Sequence, residues 1–153
     1  MLFLVRHAKA GDRLDNPKRD FVRPLSRNGW VQANLLAPRL VEAGAGAPLL
    51  ASPFTRCMQT LEPLAAALST RVTADDCLRE AKPFRPVVEL LAEIADGAVL
   101  CSHGDLIPDV MQALERRGCV IAGEPQWRKA SVWVIERAAD GTFTTATAWP
   151  PPS

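Results

Sequence analysis

The chain has no CxxC pair among its four cysteines, no apolar run near the ~20 residues a bilayer crossing needs, and no marked excess of either charge. Each absence removes a class of function. Cys57, Cys77, Cys101 and Cys119 are widely spaced, so they read as buried thiols of a reducing compartment and not as a disulfide framework or a zinc knuckle. Cys101 lies in an apolar run, where packing explains it. Met1 to Val5 is shorter than a signal-peptide core and Arg6 interrupts it, so a cytoplasmic location without a membrane partner is expected. A net charge of +1, with acids and bases mixed along the chain, gives no extended surface for nucleic acid or an anionic membrane. Any attraction for anions must therefore be local. The two histidines have no nearby set of carboxylates or thiolates, which makes a metal site a poor prospect. There is no internal repeat, and the run Pro150-Pro151-Pro152 reads as the start of a short tail.

What is present is an ordinary globular composition, 48% apolar and 23% charged over 153 residues. That length suits one compact domain, here residues 1–149, with 150–153 as the tail. Short β-type runs alternate with longer helical ones. Strands are expected at 2–5, 48–51, 71–74, 98–102, 131–136 and 142–148, the last two joined by an Asp140-Gly141 turn. Helices are expected from a Ser26 cap to about Ala43, at 55–68, at 86–95 and at 105–117. Pro38 should bend or interrupt the first of these, and Pro108 is tolerable in the first turn of the last. Val99-Leu100-Cys101 reads as a strand buried on both faces. The alternation predicts an α/β fold, a three-layer sandwich around a mostly parallel central sheet, with the final pair as an antiparallel edge.

In such sheets ligands bind beyond the carboxyl ends of the strands. The first strand ends in Arg6-His7, the second in Ser52-Pro53-Phe54-Thr55-Arg56, and the buried one in Ser102-His103-Gly104. Taken singly, a histidine after a strand is more often structural, and an arginine at a helix start is usually solvated. As a set they would repel one another unless an anion gathered them. A tetrahedral phosphate fits: arginine offers a planar fork to two oxygens, a histidine adds a donor, and Gly104 leaves backbone N–H groups accessible at a helix start.

Leu4-Val5-Arg6-His7-Ala8, Leu25-Ser26-Arg27-Asn28-Gly29 with Gln32-Ala33, Ser52 to Arg56 with Gln59-Thr60, Leu78-Arg79-Glu80 and Ser102-His103-Gly104 together resemble the histidine phosphatase, or phosphoglycerate mutase-like, superfamily. The segments stand in family order and span residues 2 to about 115. The short chain and Arg6-His7-Ala8-Lys9-Ala10 are most similar to the SixA-type branch, whose members act on phosphohistidine. Leu25 to Ala65 also resembles histidine phosphatase domains attached to Nudix hydrolases. Ala8 stands where many members have glycine.

The resemblance implies a hydrolase working through a phosphohistidine intermediate without metal or cofactor. It makes His7 the nucleophile, places Arg6, Arg56 and His103 around the phosphoryl oxygens, and makes Glu80 the proton donor. One ring nitrogen of His7 must be unprotonated, with the other donating to a backbone carbonyl. The glycine-rich acidic segment that often follows this glutamate is replaced by Ala81-Lys82-Pro83-Phe84. Asp105 is a second candidate acid, although a helix N-cap is its plainer role. Lys9, Arg13, Lys18, Arg19, Arg23 and Arg27, interleaved with Asp12, Asp15 and Asp20, read as a solvated loop or as a rim steering an anionic substrate. Trp127 and Trp133 read as core packing.

The implied partner is a phosphohistidine protein or a small phosphorylated metabolite. A phosphomutase is the nearest rival, but the chain has little room for the helical insertions such relatives carry. A phosphate- or phosphohistidine-binding module without turnover would keep Arg6, Arg56 and His103 and need neither His7 nor Glu80.

Overall fold

The computed structural model describes residues 1–153. Seven strands and five helices follow in the order β1 (Leu2–Arg6), α1 (Pro17–Phe21), α2 (Arg27–Glu42), β2 (Leu49–Ala51), α3 (Thr55–Ala67), β3 (Val72–Ala74), α4 (Arg85–Glu93), β4 (Val99–Ser102), α5 (Leu106–Arg116), β5 (Val120–Ala122), β6 (Val132–Arg137) and β7 (Phe143–Trp149). The strands form one sheet in the order β3-β2-β4-β1-β6-β7-β5. β3, β2, β4 and β1 run parallel, β6 is antiparallel to both β1 and β7, and β5 returns parallel to β7.

The alternation of side chains along β1 divides the core. Leu2 and Leu4 join α4 and α5 through Val87, Leu91, Val110, Met111 and Leu114. Phe3 and Val5 point the other way, toward Leu36 and Leu40 of α2 and Leu61 and Leu64 of α3. β4, central in the parallel half, is buried throughout, as its unbroken apolar run requires. The result is helices on both faces of a mostly parallel sheet.

Four features differ from the sequence expectation. α2 runs through Pro38 without a break, because Pro38 and Asn34, whose carbonyl loses its usual i+4 donor there, both lie on the exposed side. The β6–β7 pair is antiparallel as expected but is not the edge: β6 lies against β1, and the three-residue β5 closes the sheet beyond β7. β5 was not expected although Val120-Ile121-Ala122 is apolar: Val120 is exposed, Ile121 packs against the core, and the strand pairs with β7 alone. α1 was missed despite a local signature. Asn16 caps it, accepting from Lys18 and Arg19 N–H, and Pro17 takes the first helical position. No helix is long and apolar enough to cross a membrane.

Candidate active site

The sheet order places β1, β4 and β2 side by side, and their registers align the strand ends. Arg6 lies opposite Ser102, and Ala51 opposite Cys101. Beyond the last pairs, His7 N–H still donates to Ser102 O at 3.1 Å and Ser52 N–H to Cys101 O at 3.0 Å. His7 and His103 therefore sit on adjacent strands, their ring centroids 5.5 Å apart and edge-on. Arg6, His7, Arg56, Glu80, His103 and Gly104 all line one cavity of about 430 Å³. The sequence singled out these six residues, and the fold brings all of them together.

His7 is 5% exposed, and its Nδ1 lies 2.8 Å from its neighbour's carbonyl, Ala8 O. A carbonyl only accepts, so Nδ1 carries the proton and Nε2 keeps a free lone pair. No protein group bonds to Nε2, which faces the cavity. Burial pushes the ring's pKa down to about 3, helped by the neighbouring Arg56 and Arg6 and opposed by the Ala8 hydrogen bond. His7 is thus a neutral, oriented imidazole at physiological pH.

The loop after β1 is fixed from below by residues the motif segments contain. Thr60 Oγ1 accepts Ala8 N–H at 3.0 Å and donates to Arg56 O at 2.7 Å. Gln32 Oε1 accepts Lys9 N–H, and Gln59 Oε1 accepts Leu25 N–H. Ser26 caps α2 by accepting Gly29 N–H, while its own N–H donates to Lys9 O at 2.9 Å. Gly29 cannot carry a side chain, because a Cβ there would collide with that same carbonyl.

His103 is 2% exposed. Its Nε2 lies 2.8 Å from Ser52 Oγ and 3.6 Å from Cys57 Sγ, and Phe54 packs edge-on against the ring at 4.8 Å. Nδ1 has no hydrogen-bond partner and lies 3.8 Å from Glu80 Oε2. Ser52 Oγ accepts Phe54 N–H, so its hydroxyl can donate to Nε2 and leave Nδ1 as the donor on the cavity side. Gly104 does more than expose backbone. A Cβ there would come within 2.6 Å of the Arg6 guanidinium carbon, so only glycine lets Arg6 lie flat across the turn. Arg6 in turn donates to Trp127 O at 2.6 Å, and the Gly104 N–H makes no bond within the protein.

Arg56 is 1% exposed and needs countercharge. It finds Asp20 Oδ2 at 3.5 Å, Asp20 O at 3.0 Å and Glu80 Oε2 at 3.4 Å. Asp20 was expected in a solvated loop and is instead 4% exposed, because α1 turns it inward. Burial alone would raise its pKa. The Leu14 N–H, Arg23 and Arg56 outweigh that and hold the carboxyl below the usual range. Arg23 spans Asp20, Ala10 O and Gly11 O. The basic loop therefore divides. Arg13 and Arg23 line the cavity, while Lys9, Lys18, Arg19 and Arg27 are solvated.

Glu80 receives both guanidinium nitrogens of Arg13, at 3.3 and 3.0 Å. Asp105 holds the N-cap position of α5 without capping it. Its Oδ2 accepts Ala81 N–H at 2.7 Å instead, which ties the Glu80 segment to the start of α5. Trp133 is buried as expected, but Trp127 is 42% exposed and stacks on Trp133 at the surface. All four cysteines are free. Two cavity residues carried no sequence signal, Gly11 and Lys129, and the exposed Ala81 entered only as part of the segment after Glu80.

A neutral histidine beside Arg6, Arg56 and a second histidine, at the ends of adjacent parallel strands, marks out a class. Residues 2–83 match the model of the histidine phosphatase superfamily (branch 1), and the chain belongs to that superfamily. Among individual proteins, the chain is similar to the 8-oxo-(d)GTP phosphatase of Mycolicibacterium smegmatis, 33% identical over 157 residues that cover 99% of this chain and 48% of that protein. The chain thus spans about half the length of that curated relative. Its fold is similar to that of the protein histidine phosphatase SixA in complex with tungstate, with a TM-score of 0.75, 24% identity and coverage of 94% and 92% of the two chains. A mycobacterial glucosyl-3-phosphoglycerate phosphatase also shares the fold, with a TM-score of 0.71, 18% identity and 99% coverage of both chains.

Proposed function

We propose that the chain is a metal-independent phosphatase that takes a phosphoryl group onto His7 Nε2 and passes it to water, acting on a phosphohistidine protein or a small phosphorylated metabolite. The observation that carries this is the state of His7, a neutral ring with Nδ1–H fixed to Ala8 O and Nε2 aimed into a cationic cavity. Attack of Nε2 on phosphorus breaks the bond to the leaving atom, which departs with the electron pair and takes a proton from Glu80. Water then attacks the phosphohistidine, Glu80 recovers a proton, and orthophosphate leaves. Arg6, Arg56, the Gly104 N–H and His103 neutralise the phosphoryl oxygens throughout.

In the resting site both Glu80 oxygens are turned to Arg13 and one of them also to Arg56, so giving up a proton competes with these contacts. A leaving group that departs without strong acid assistance fits that arrangement, and an imidazole is such a group. This favours the SixA-like reading. The name of the Mycolicibacterium smegmatis relative places phosphorylated nucleotides among the small molecules to be tried. A binding module without turnover is the competing class, and it would have no use for the fixed His7 tautomer. We assign the activity to residues 1–149 as one unit acting in the cytoplasm.

The test is turnover of an aryl phosphate and of a phosphohistidine protein in chelator, with wild type and His7→Ala compared. Activity that persists in chelator and is lost in the variant supports the reading, and acid-labile phosphate should be trapped on His7. Wild type and variant equally inert, yet both binding phosphate, would establish the binding module.

A further inference from the structure

The cations around the cavity are matched inside the protein with one exception. Its lining carries five permanent cations, Arg6, Arg13, Arg23, Arg56 and Lys129, against the two carboxylates of Glu80 and Asp105. Most of these cations are already engaged. Arg13 is held by Glu80, Arg23 by Asp20 and two carbonyls, and Arg56 by Asp20 and Glu80. Asp105 is spent on Ala81 N–H. Lys129 alone among the five has neither an ion-pair nor a hydrogen-bond partner in the protein. Burial lowers its pKa first, then Arg6, Arg23 and Arg56, with only Asp12 opposing them. Lys129 thus brings an ammonium with no carboxylate of its own to a cavity that four arginines also line, a place where a further anion is attracted.

The backbone around Lys129 is built to keep it there. Ala130 adopts φ +67°, a left-handed conformation that a residue with a Cβ takes at a cost in strain. Its N–H donates to both Arg6 O and His7 O, at 3.1 and 3.2 Å, and Ser131 Oγ donates to Arg128 O at 2.6 Å. The turn is thereby bolted to the end of β1, beside the nucleophile. Trp127 O, two residues before Lys129, anchors Arg6. One loop thus sets both the phosphoryl-binding arginine and the unpaired lysine.

We propose that Lys129 binds a second anionic group next to the transferred phosphoryl, and that the substrate class is a diphosphate ester. This rests on the phosphatase reading above. His7 Nε2 would bond to the terminal phosphorus as the bond from that phosphorus to the bridging oxygen breaks. The bridging oxygen leaves with the electron pair as part of a phosphate monoester, whose new negative charge falls to Lys129. Water then cleaves the P–N bond, giving orthophosphate and returning His7 to its neutral form. A phosphate leaving group needs less protonation than an alkoxide, which agrees with a Glu80 held as an acceptor by Arg13.

The test uses calorimetric affinities of orthophosphate, pyrophosphate and phosphoglycolate at one ionic strength, all in a His7→Ala background that cannot turn them over, for wild-type Lys129, Lys129→Met and Lys129→Arg. Wild type should bind pyrophosphate at least about tenfold more tightly than orthophosphate. Lys129→Met should lose about tenfold on pyrophosphate and under about threefold on orthophosphate, with Lys129→Arg restoring most of the difference. Equal losses on both anions, or no preference in wild type, overturn the proposal. A loss confined to phosphoglycolate overturns it too, since the second anion would then be a carboxylate. These are equilibrium affinities, so failure of the phosphatase reading shows separately, as the absence of acid-labile phosphate on His7.

Discussion

Replacing His7 by Asn tests whether burial holds this ring neutral. Free histidine titrates near 6.5, and in the folded chain the value falls to about 3. Between those limits the unfolded chain binds a proton that the folded chain refuses. The contribution is therefore fully present above about pH 6.5 and is lost as the pH falls toward 3. At 1.36 kcal/mol per unit, moving from pH 7 to pH 4.5 should cost wild type about 2.5 kcal/mol through this one ring. At 5% exposure, solvent screening removes little of that. Asn keeps an amide donor for Ala8 O but cannot titrate, so groups elsewhere cancel when the two proteins are compared. Urea unfolding followed by tryptophan fluorescence at several pH values gives both curves, with a constant m-value checking the two-state treatment. The wild-type advantage should shrink by about 2.5 kcal/mol across that interval. Parallel curves would refute the reasoning, because His7 would then be as free to protonate as in the unfolded chain.

Glu80→Gln should slow hydrolysis of an alkyl phosphate by roughly 10²–10⁴-fold and spare phosphohistidine; equal losses on both in steady-state assays would make Glu80 structural. Gly104→Ala pushes a Cβ into the Arg6 guanidinium and should weaken orthophosphate binding by roughly 1.5–3 kcal/mol, read by calorimetry, with an unchanged affinity showing that Arg6 has another route to the anion. Asp20→Asn leaves Arg56 and Arg23 short of countercharge inside the protein and should cost about 3–5 kcal/mol in urea unfolding. A cost under about 1 kcal/mol would mean that water or Glu80 replaces Asp20.

The parts of the site carried by strand ends were legible because the signal is local. An apolar run that stops at Arg6-His7, Ser52 or Ser102-His103 states both the strand and what stands at its edge, and parallel order then brings those edges together. Gln32, Gln59 and Thr60 were visible only as motif letters, and their work as acceptors for the backbone under His7 needed coordinates. Asp20 was misplaced because its burial depends on α1 docking beside α3, a tertiary event that a charge-mixed loop does not announce. The Asn16-Pro17 start of α1 could have revealed it. Lys129 was invisible, since its position follows from a left-handed turn at Ala130, a conformation alanine rarely takes. Trp127 misled for the opposite reason: large aromatic rings usually seek the interior, and here the ring stays outside while its carbonyl holds Arg6.

The registers of β1, β4 and β2 have a consequence for how such a protein can diversify. His7, His103 and the Ser52 that orients it hang from three strands joined by two hydrogen-bonded ladders, whose spacing the backbone sets at about 4.8 Å. Residues 8–26 and 123–131 bring Arg13, Arg23 and Lys129 to the same mouth without belonging to those ladders. A change of length or sequence there can alter which molecule enters while the spacing of the two histidines stays where the sheet put it. Both segments also reach the arginines, Arg6 through Trp127 O and Arg56 through Asp20, so the histidine pair is the part of the cavity that a change at its mouth leaves alone.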